Sequence, residues 1–401
     1  MTYCIVFTYS RDTLICRLSF QIALKLAGSS RLLTLNMSVR TKVLIVILAF
    51  LGINNVLSKD VKVSCKDEQG LDVDWFYLYK LPKYYKTNSL ESDISGLHYL
   101  YITSRSPEQW TLSHRLINES NSMPALTLEP LFDDAAVLLV SYNDEFPNGT
   151  FFLTNGHTKG IVATDDSTAI WLIHSVPKFP SIPGYEYPNS GTHYGQSFLC
   201  LTLDSDQVHN VGGQLIFNEP NIYYSRLPET MVGKYPSLEA VLQKRWRTTP
   251  PYKSILDLET LAGKQFRSFA KSSSYGGDLY EDLLAPSLDV NLLVEAWRNG
   301  AGNMASNCSM NDKVYNIASL QENKLQLSFK TTRDHSKWAV SQATGLKVWR
   351  WCIGCAEDWI CVGDINRQSH QLLRAGGTVC QKNPQVTKLY RNLVRNYDPC
   401  N

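Results

Sequence analysis

The sequence is short of charge. Charged residues make up 19% of the 401, and the formal net charge is +2, so no strong field of either sign marks out a basic nucleic-acid tail or an acidic solvating chain. It has no apolar run long enough to cross a membrane. The longest, Val43–Leu51 (VLIVILAFL), has about the length of a signal-peptide core. It also lacks a zinc pattern. Cys352-Ile-Gly-Cys355 has no second C-x-x-C and no His pair at zinc spacing, so a local disulfide is the plainer reading and no metal or other cofactor is expected. Nor is this a disordered composition, with 44% hydrophobic residues, nine Trp and 21 Tyr. At roughly 100–200 residues per domain, the length allows two domains or one large two-part unit.

The N-terminal part reads as a leader. Met37-Ser-Val-Arg-Thr-Lys is a short basic start, and the apolar run follows it. Val56 and Ser58 are small residues placed for cleavage before Lys59. Residues 37–58 are therefore expected to be a secretory signal peptide, and 1–36 an upstream extension or longer leader. A membrane anchor is the alternative. Residues 1–58 hold six of the 39 basic and one of the 37 acidic residues, leaving 33 against 36, a formal −3. All eight His lie beyond the leader, so the balance swings to about +5 as they protonate. A polyanion would then be weakly repelled at neutral pH and attracted in acid.

Beyond the leader eight cysteines remain: Cys65, Cys200, Cys308, Cys352, Cys355, Cys361, Cys380 and Cys400. An even number in a secreted chain implies disulfides. Asn118, Asn148 and Asn307 each begin an N-x-[ST] triplet, the acceptor pattern for glycosylation.

Alternating or apolar stretches mark strands at 72–82, 135–142, 169–176, 196–203 and 359–363. Ser237–Trp246, Ser287–Arg298 and Val386–Val394 read as helices. Interleaved strands and helices predict an α/β or mixed α+β layered fold. The Pro-bearing stretch Leu227–Pro236 is the expected boundary between an N-terminal half, 59–230, and a C-terminal half, 231–401.

The chemistry lies in a repeated tripeptide. His157-Thr158-Lys159 and His335-Ser336-Lys337 are both H-[ST]-K, 178 residues apart and each set between apolar runs. In an extended segment, residues i and i+2 share a face, so each unit offers an imidazole beside an ammonium. Two units around one pocket suit metal-free phosphodiester cleavage. One His attacks phosphorus, the other protonates the leaving oxygen, and the Lys pair neutralises the non-bridging oxygens. A single H-x-K carries no information; two, in matching settings, do. His98, His114, His193, His209 and His370 show no pattern. His174-Ser175 is a weaker candidate at a strand end.

The chain resembles the deoxyribonuclease II family of acid endonucleases, within the phospholipase D superfamily. The matching segments are Val73–Pro82 (VDWFYLYKLP), Gly156–Gly160 (GHTKG), Trp171–Pro180, Asp334–Trp338 (DHSKW), Cys361–Arg367 (CVGDINR), Gly376–Cys380 and Asn396–Cys400, in family order from about residue 65 to the C-terminus. The resemblance implies a pseudodimer of two phospholipase D-like halves, each a mixed β-sheet flanked by helices and each supplying one H-x-K. It implies hydrolysis of DNA without metal, fastest in acid, to 3′-phosphate and 5′-hydroxyl ends. His157 would form a phosphohistidine. His335 would protonate the leaving oxygen, or the two roles would be exchanged. Lys159 and Lys337 would hold the phosphate. His174 with Ser175, and Asp364 with Asn366, would be supporting residues.

The family's disulfides would join Cys65 to Cys200, Cys308 to Cys400 and Cys361 to Cys380, leaving Cys352 and Cys355 to pair within the inserted stretch 346–357. Thr164 and Gln342 stand where the wider superfamily carries an Asp after H-x-K. The resemblance also implies a lysosomal or secreted glycoprotein acting on DNA, free of the membrane once the leader is cut, as a monomeric pseudodimer or a homodimer. Two other readings remain open at this point. One is a related phosphodiesterase acting on phospholipid headgroups. The other is a non-catalytic secreted DNA-binding protein.

Overall fold

In the computed structural model the described residues are 62–83, 95–343 and 357–400, with the backbone of two short strands at 346–348 and 351–353. The expected signal peptide and upstream extension lie outside them. The fold is mixed α+β. Its first part runs β1 (Cys65–Lys66), β2 (Asp72–Val73), β3 (Trp75–Lys80), β4 (Tyr99–Thr103), β5 (Ser106–Leu112), α1 (Met123–Phe132), β6 (Leu138–Tyr142), β7 (Gly160–Thr164), β8 (Thr168–His174), β9 (Gln196–Asp204), α2 (Gln207–Asn218) and β10 (Ile222–Arg226). Helix α3 (Pro236–Leu242) leads on to β11 (Lys253–Glu259), β12 (Gln265–Lys271), α4 (Ala285–Leu288), β13 (Leu292–Glu295), β14 (Val314–Glu322), β15 (Leu327–Lys330) and β16 (Trp338–Ser341). The chain closes with β17 (Leu346–Val348), β18 (Trp351–Ile353), β19 (Trp359–Gly363), β20 (Gly376–Lys382), α5 (Pro384–Leu393) and β21 (Val394–Tyr397).

Two large sheets result, one in the order β10-β6-β7-β8-β9-β3-β4-β5 and one in the order β11-β12-β20-β19-β16-β13-β14-β15. Their five central strands correspond: β6-β7-β8-β9-β3 in one, β13-β16-β19-β20-β12 in the other. The registers correspond too. Tyr142 sits opposite Gly160 as Glu295 sits opposite Trp338. Gly160 faces Ile173 as Trp338 faces Val362. Lys80 faces Gln196 as Lys271 faces Gly376. The inserted stretch forms the separate hairpin β17–β18.

Strand β3 shows how sequence drives the layering. All six residues of WFYLYK are buried. Trp75, Tyr77 and Tyr79 enter an apolar cluster that draws on both sheets and on α2, α3 and α5. Phe76 and Leu78 enter a second cluster behind the first sheet, against α1. Alternation thus survives even where both faces are covered. A third cluster, from Leu279 to Val290 and beyond, backs the second sheet. Tyr390 of α5 lies at the centre of the shared core, 5.0 Å from the Trp338 ring and 5.1 Å from the Trp110 ring.

Two helix expectations need correction. Ser287–Arg298 is not a helix. Helix α4 ends at Leu288, Asp289 takes a left-handed conformation at φ 54°, and β13 follows. Leu292 and Val294 face one apolar cluster and Leu293 the other, so a fully buried strand presented an unbroken apolar run that a helix also would. Ser237 does not cap α3. The cap is Tyr235, with Pro236 opening the helix, which ends at Leu242. Helix α5 starts two residues earlier than expected because the Asn383 side chain accepts from the Gln385 and Val386 amides.

Candidate active site

The two H-x-K units lie in irregular segments just before β7 and β16, not inside the ladders. Each is pinned to the opposite sheet. His157 N–H donates to Ala375 O at 2.8 Å, and His335 N–H donates to Gly195 O at 2.9 Å. Ala375 and Gly195 immediately precede the matching strands β20 and β9. Close packing here demands glycine. A Cβ on Gly156 would lie 2.0 Å from Asn218 O, and one on Gly195 2.3 Å from Asp334 Oδ1.

Each imidazole is oriented by a backbone carbonyl from the segment that follows a strand of the other sheet. His157 Nδ1 is 2.5 Å from Asp364 O, and His335 Nδ1 is 2.9 Å from Ser175 O. Ser175 and Asp364 occupy matching places after β8 and β19. A carbonyl only accepts, so both Nδ1 atoms carry hydrogen, and Nε2 is the atom of each ring left to gain or lose a proton. Lys337 Nζ also approaches His335 Nδ1, at 3.0 Å, but donates to His335 O at 2.6 Å. We read that N···N contact as a close cation, not a second hydrogen bond to Nδ1.

The middle hydroxyls brace the loops. Thr158 Oγ1 donates to Asp364 Oδ2 at 2.5 Å, and Ser336 Oγ donates to Asp334 Oδ2 at 2.8 Å. Asp364 also accepts from Gly377 N–H at 3.1 Å. Burial pushes its carboxyl up to about 6.

Electrostatically the motifs form one cluster. Burial first, then Lys159, Arg374 and Lys337, push the His157 imidazole well below its ordinary value. Burial, then Lys337, Lys159 and His157, do the same to His335, while Asp144 opposes them. Lys337 is itself pushed well down by burial and by Lys159.

Two of these residues carry no sequence signal. Asp144, two residues past β6, is buried, pairs with Lys159, and stands 3.5 Å from His157 Nε2 and 3.7 Å from Arg374 Nη1. Arg374, just before Ala375, donates to Gly156 O at 2.8 Å and to Asn155 O and Phe152 O at 3.2 Å. Around His335 the same places hold Trp297, whose ring centroid is 5.0 Å from the imidazole, and Tyr194, 4.6 Å from Trp297. Buried lysines hold both flanking loops. Lys80 Nζ donates to Thr192 O at 3.0 Å and to Tyr194 O. Lys271 Nζ donates to Gln371 O, Leu372 O and Arg374 O at 3.1, 3.0 and 2.6 Å.

The expected supporting residues fall in different places. Ser175 Oγ donates to Gln196 Oε1 at 2.5 Å, and its carbonyl orients His335. Asn366 Oδ1 accepts from Trp297 N–H at 3.3 Å, reaching the site through Trp297. The His174 imidazole bonds to neither His157 nor His335. It is buried between Phe179 and Phe198, and its Nδ1 accepts from Val176 N–H at 3.2 Å. Its backbone N–H donates to Lys159 O at 3.2 Å. Among the described residues no group of three or more His, Cys, Asp or Glu is arranged to hold a metal ion, and no helix is long and apolar enough to cross a membrane.

Disulfides join Cys65 to Cys200, Cys308 to Cys400 and Cys361 to Cys380. The Cys352–Cys355 pairing lies outside the described residues. Asn118 and Asn148 are exposed, while Asn307 is half-buried.

With this geometry in hand, the comparisons with known proteins are decisive. The deoxyribonuclease II family model matches residues 64–400. The chain belongs to the deoxyribonuclease II family. It is 38% identical over 363 residues to rat deoxyribonuclease-2-beta, covering 88% of this chain and 97% of the relative. It is 36% identical to plancitoxin-1 of Acanthaster planci, covering 84% and 92%. It is 35% identical to deoxyribonuclease-2 of Caenorhabditis elegans, covering 82% and 91%. Membership in the deoxyribonuclease II family makes the chain an endodeoxyribonuclease, a hydrolase.

Proposed function

We propose that this deoxyribonuclease works in acid and without metal, through paired H-x-K units contributed by two phospholipase D-like halves, about 59–230 and 231–401. The observation that carries the reading is the reciprocal clamp. Each imidazole is held through Nδ1 by the other half, which leaves both Nε2 atoms available in one cationic cluster.

In the order of roles implied by the phospholipase D resemblance, His157 Nε2 attacks phosphorus as the bond to the 5′ oxygen breaks. His335, protonated, gives that oxygen its proton and releases a 5′-hydroxyl. Lys159 and Lys337 take the charge of the non-bridging oxygens. His335, now neutral, removes a proton from water, which attacks the phosphohistidine and frees the 3′-phosphate and His157. Atoms and charge balance with water as the only co-reactant.

The depressed imidazoles give the acid requirement its sign. A general acid must start protonated, and an imidazole held below its ordinary value is protonated only as pH falls. The two rings titrate as a pair, and salt should weaken attraction to the polyanion. A deoxyribonuclease with disulfides and an acid optimum fits a lysosome or an acidic extracellular lumen. The lipid phosphodiesterase and binding-protein readings lose their ground to the family match.

The test is to quench a reaction with 32P-labelled DNA in alkali and isolate labelled protein. Label on His157 in wild type, absent from His157→Ala, is the expected result. Label on His335 reverses the roles. A bond cut with label on neither would contradict the covalent route.

A further inference from the structure

The two H-x-K surroundings share corresponding registers, and at two of the matched places an ionic pair on one side is answered by aromatic rings on the other. On the His157 side stand Asp144 and Arg374, an ionic pair. On the His335 side stand Trp297 and Tyr194. Trp297 lies two residues beyond Glu295 as Asp144 lies two beyond Tyr142, and those two residues hold matching registers. Tyr194 precedes Gly195 as Arg374 precedes Ala375, and Gly195 and Ala375 form the matching bridges to Asp334 and Gly156. An ionic pair can engage a phosphate and its counter-charges. Two aromatic rings carry no charge to set against a phosphate, and their flat faces suit an uncharged planar group.

Trp297 is also poorly explained as core. It is half-buried and belongs to none of the three apolar clusters. Its neighbours meet it steeply, His335 at 67° and Tyr194 at 80°, so neither ring stacks flat on the indole. Its backbone is fixed at both ends, the N–H by Asn366 Oδ1 and the carbonyl by Gln368 Nε2 at 3.2 Å. A rigid, partly open indole beside the reacting imidazole is a prepared surface.

Resting on the nuclease reading of this site, we infer that Trp297, backed by Tyr194, is the stacking surface for the nucleobase next to the scissile phosphate on the His335 side. It is a specificity and positioning element. It makes the enzyme sensitive to the presence of a base, where the lysines sense only phosphate.

The test uses a single-stranded oligonucleotide and its twin carrying one tetrahydrofuran abasic residue. Cleavage is mapped at the bonds flanking that residue for wild type, Trp297→Leu and Trp297→Phe, with melting curves to confirm folding. Stacking predicts that wild type cuts one flanking bond about tenfold more slowly in the abasic twin. Trp297→Leu should lose about as much on the intact strand and nothing further on the twin, and Trp297→Phe should recover part of the difference. If Trp297→Leu does not fold, wild type against Trp297→Phe still reads the effect. Equal cleavage of both strands by wild type, or a full abasic penalty retained in Trp297→Leu, overturns the inference and leaves the nuclease reading intact. No cleavage of either strand by folded wild type overturns that reading and this inference with it.

Discussion

Asp144 sits where a phosphate would be welcome, beside Lys159, Arg374 and His157 Nε2. Its carboxylate is held below its usual range by Lys159 and Arg374, against the cost of burial, so it is charged in the resting site. Its charge supports the protonated form of His335, which Lys337, Lys159 and His157 oppose. Asp144→Asn therefore removes a group that favours the imidazolium. We expect its pH–rate profile to move to lower pH, and KM for DNA to fall, because Lys159 and Arg374 lose their internal counter-ion. A profile that moves to higher pH, or does not move, would contradict this placement of the charge. None of this was legible in the sequence. Asp144 lies in no motif, and only the pairing of β6 with β7 brings it to the Lys159 side chain.

At the scale of elements, β13 teaches most. The sequence expectation there was a helix, because a strand buried on both faces shows no alternation of polar and apolar residues. Its end places Glu295 in the interior with no exposure, and among the described residues neither carboxyl oxygen has a hydrogen-bond partner. Burial, then Asp334, raises its carboxyl well above the ordinary value. A carboxyl raised on folding weakens the fold above its unfolded value, and that cost is relieved as pH falls through the folded value. Glu295→Gln should raise Tm at pH 7, and raise it less at pH 5. An equal change at both would mean that Glu295 finds a partner in solution. The strands around the H-x-K units were better marked, since short apolar runs flank both tripeptides. The two loops that carry Tyr194 and Arg374 were not, because the lysines that tie them down, Lys80 and Lys271, lie more than 100 residues away in sequence.

Across the whole molecule, the sequence carried the mixed α+β class and the repeat of the tripeptide, and the resemblance supplied the cysteine pairing seen in the structure. What it could not carry was the exchange between sheets, in which each histidine answers to a carbonyl of the other sheet. That depends on strand registers fixed between residues far apart in sequence. The disulfides act at this scale. Cys65–Cys200 spans 135 residues and Cys361–Cys380 spans 19. On loop-closure entropy, removing the first costs about 5 kcal/mol and removing the second about 3 kcal/mol. Paired Cys→Ala variants in chemical denaturation should rank in that order, and the reverse order would show that native packing outweighs the chain constraint.

The central claim is that two histidines, one from each half, cut DNA in acid without a metal. Its most direct measurement is plasmid cleavage in EDTA at pH 5 and pH 7.5 by secreted wild type, His157→Ala and His335→Ala. Cleavage by wild type at pH 5 that survives EDTA, weakens at pH 7.5 and falls about a thousandfold or more in each variant is the predicted result. Cleavage abolished by EDTA, or retained at wild-type rate when either histidine is removed, would contradict it.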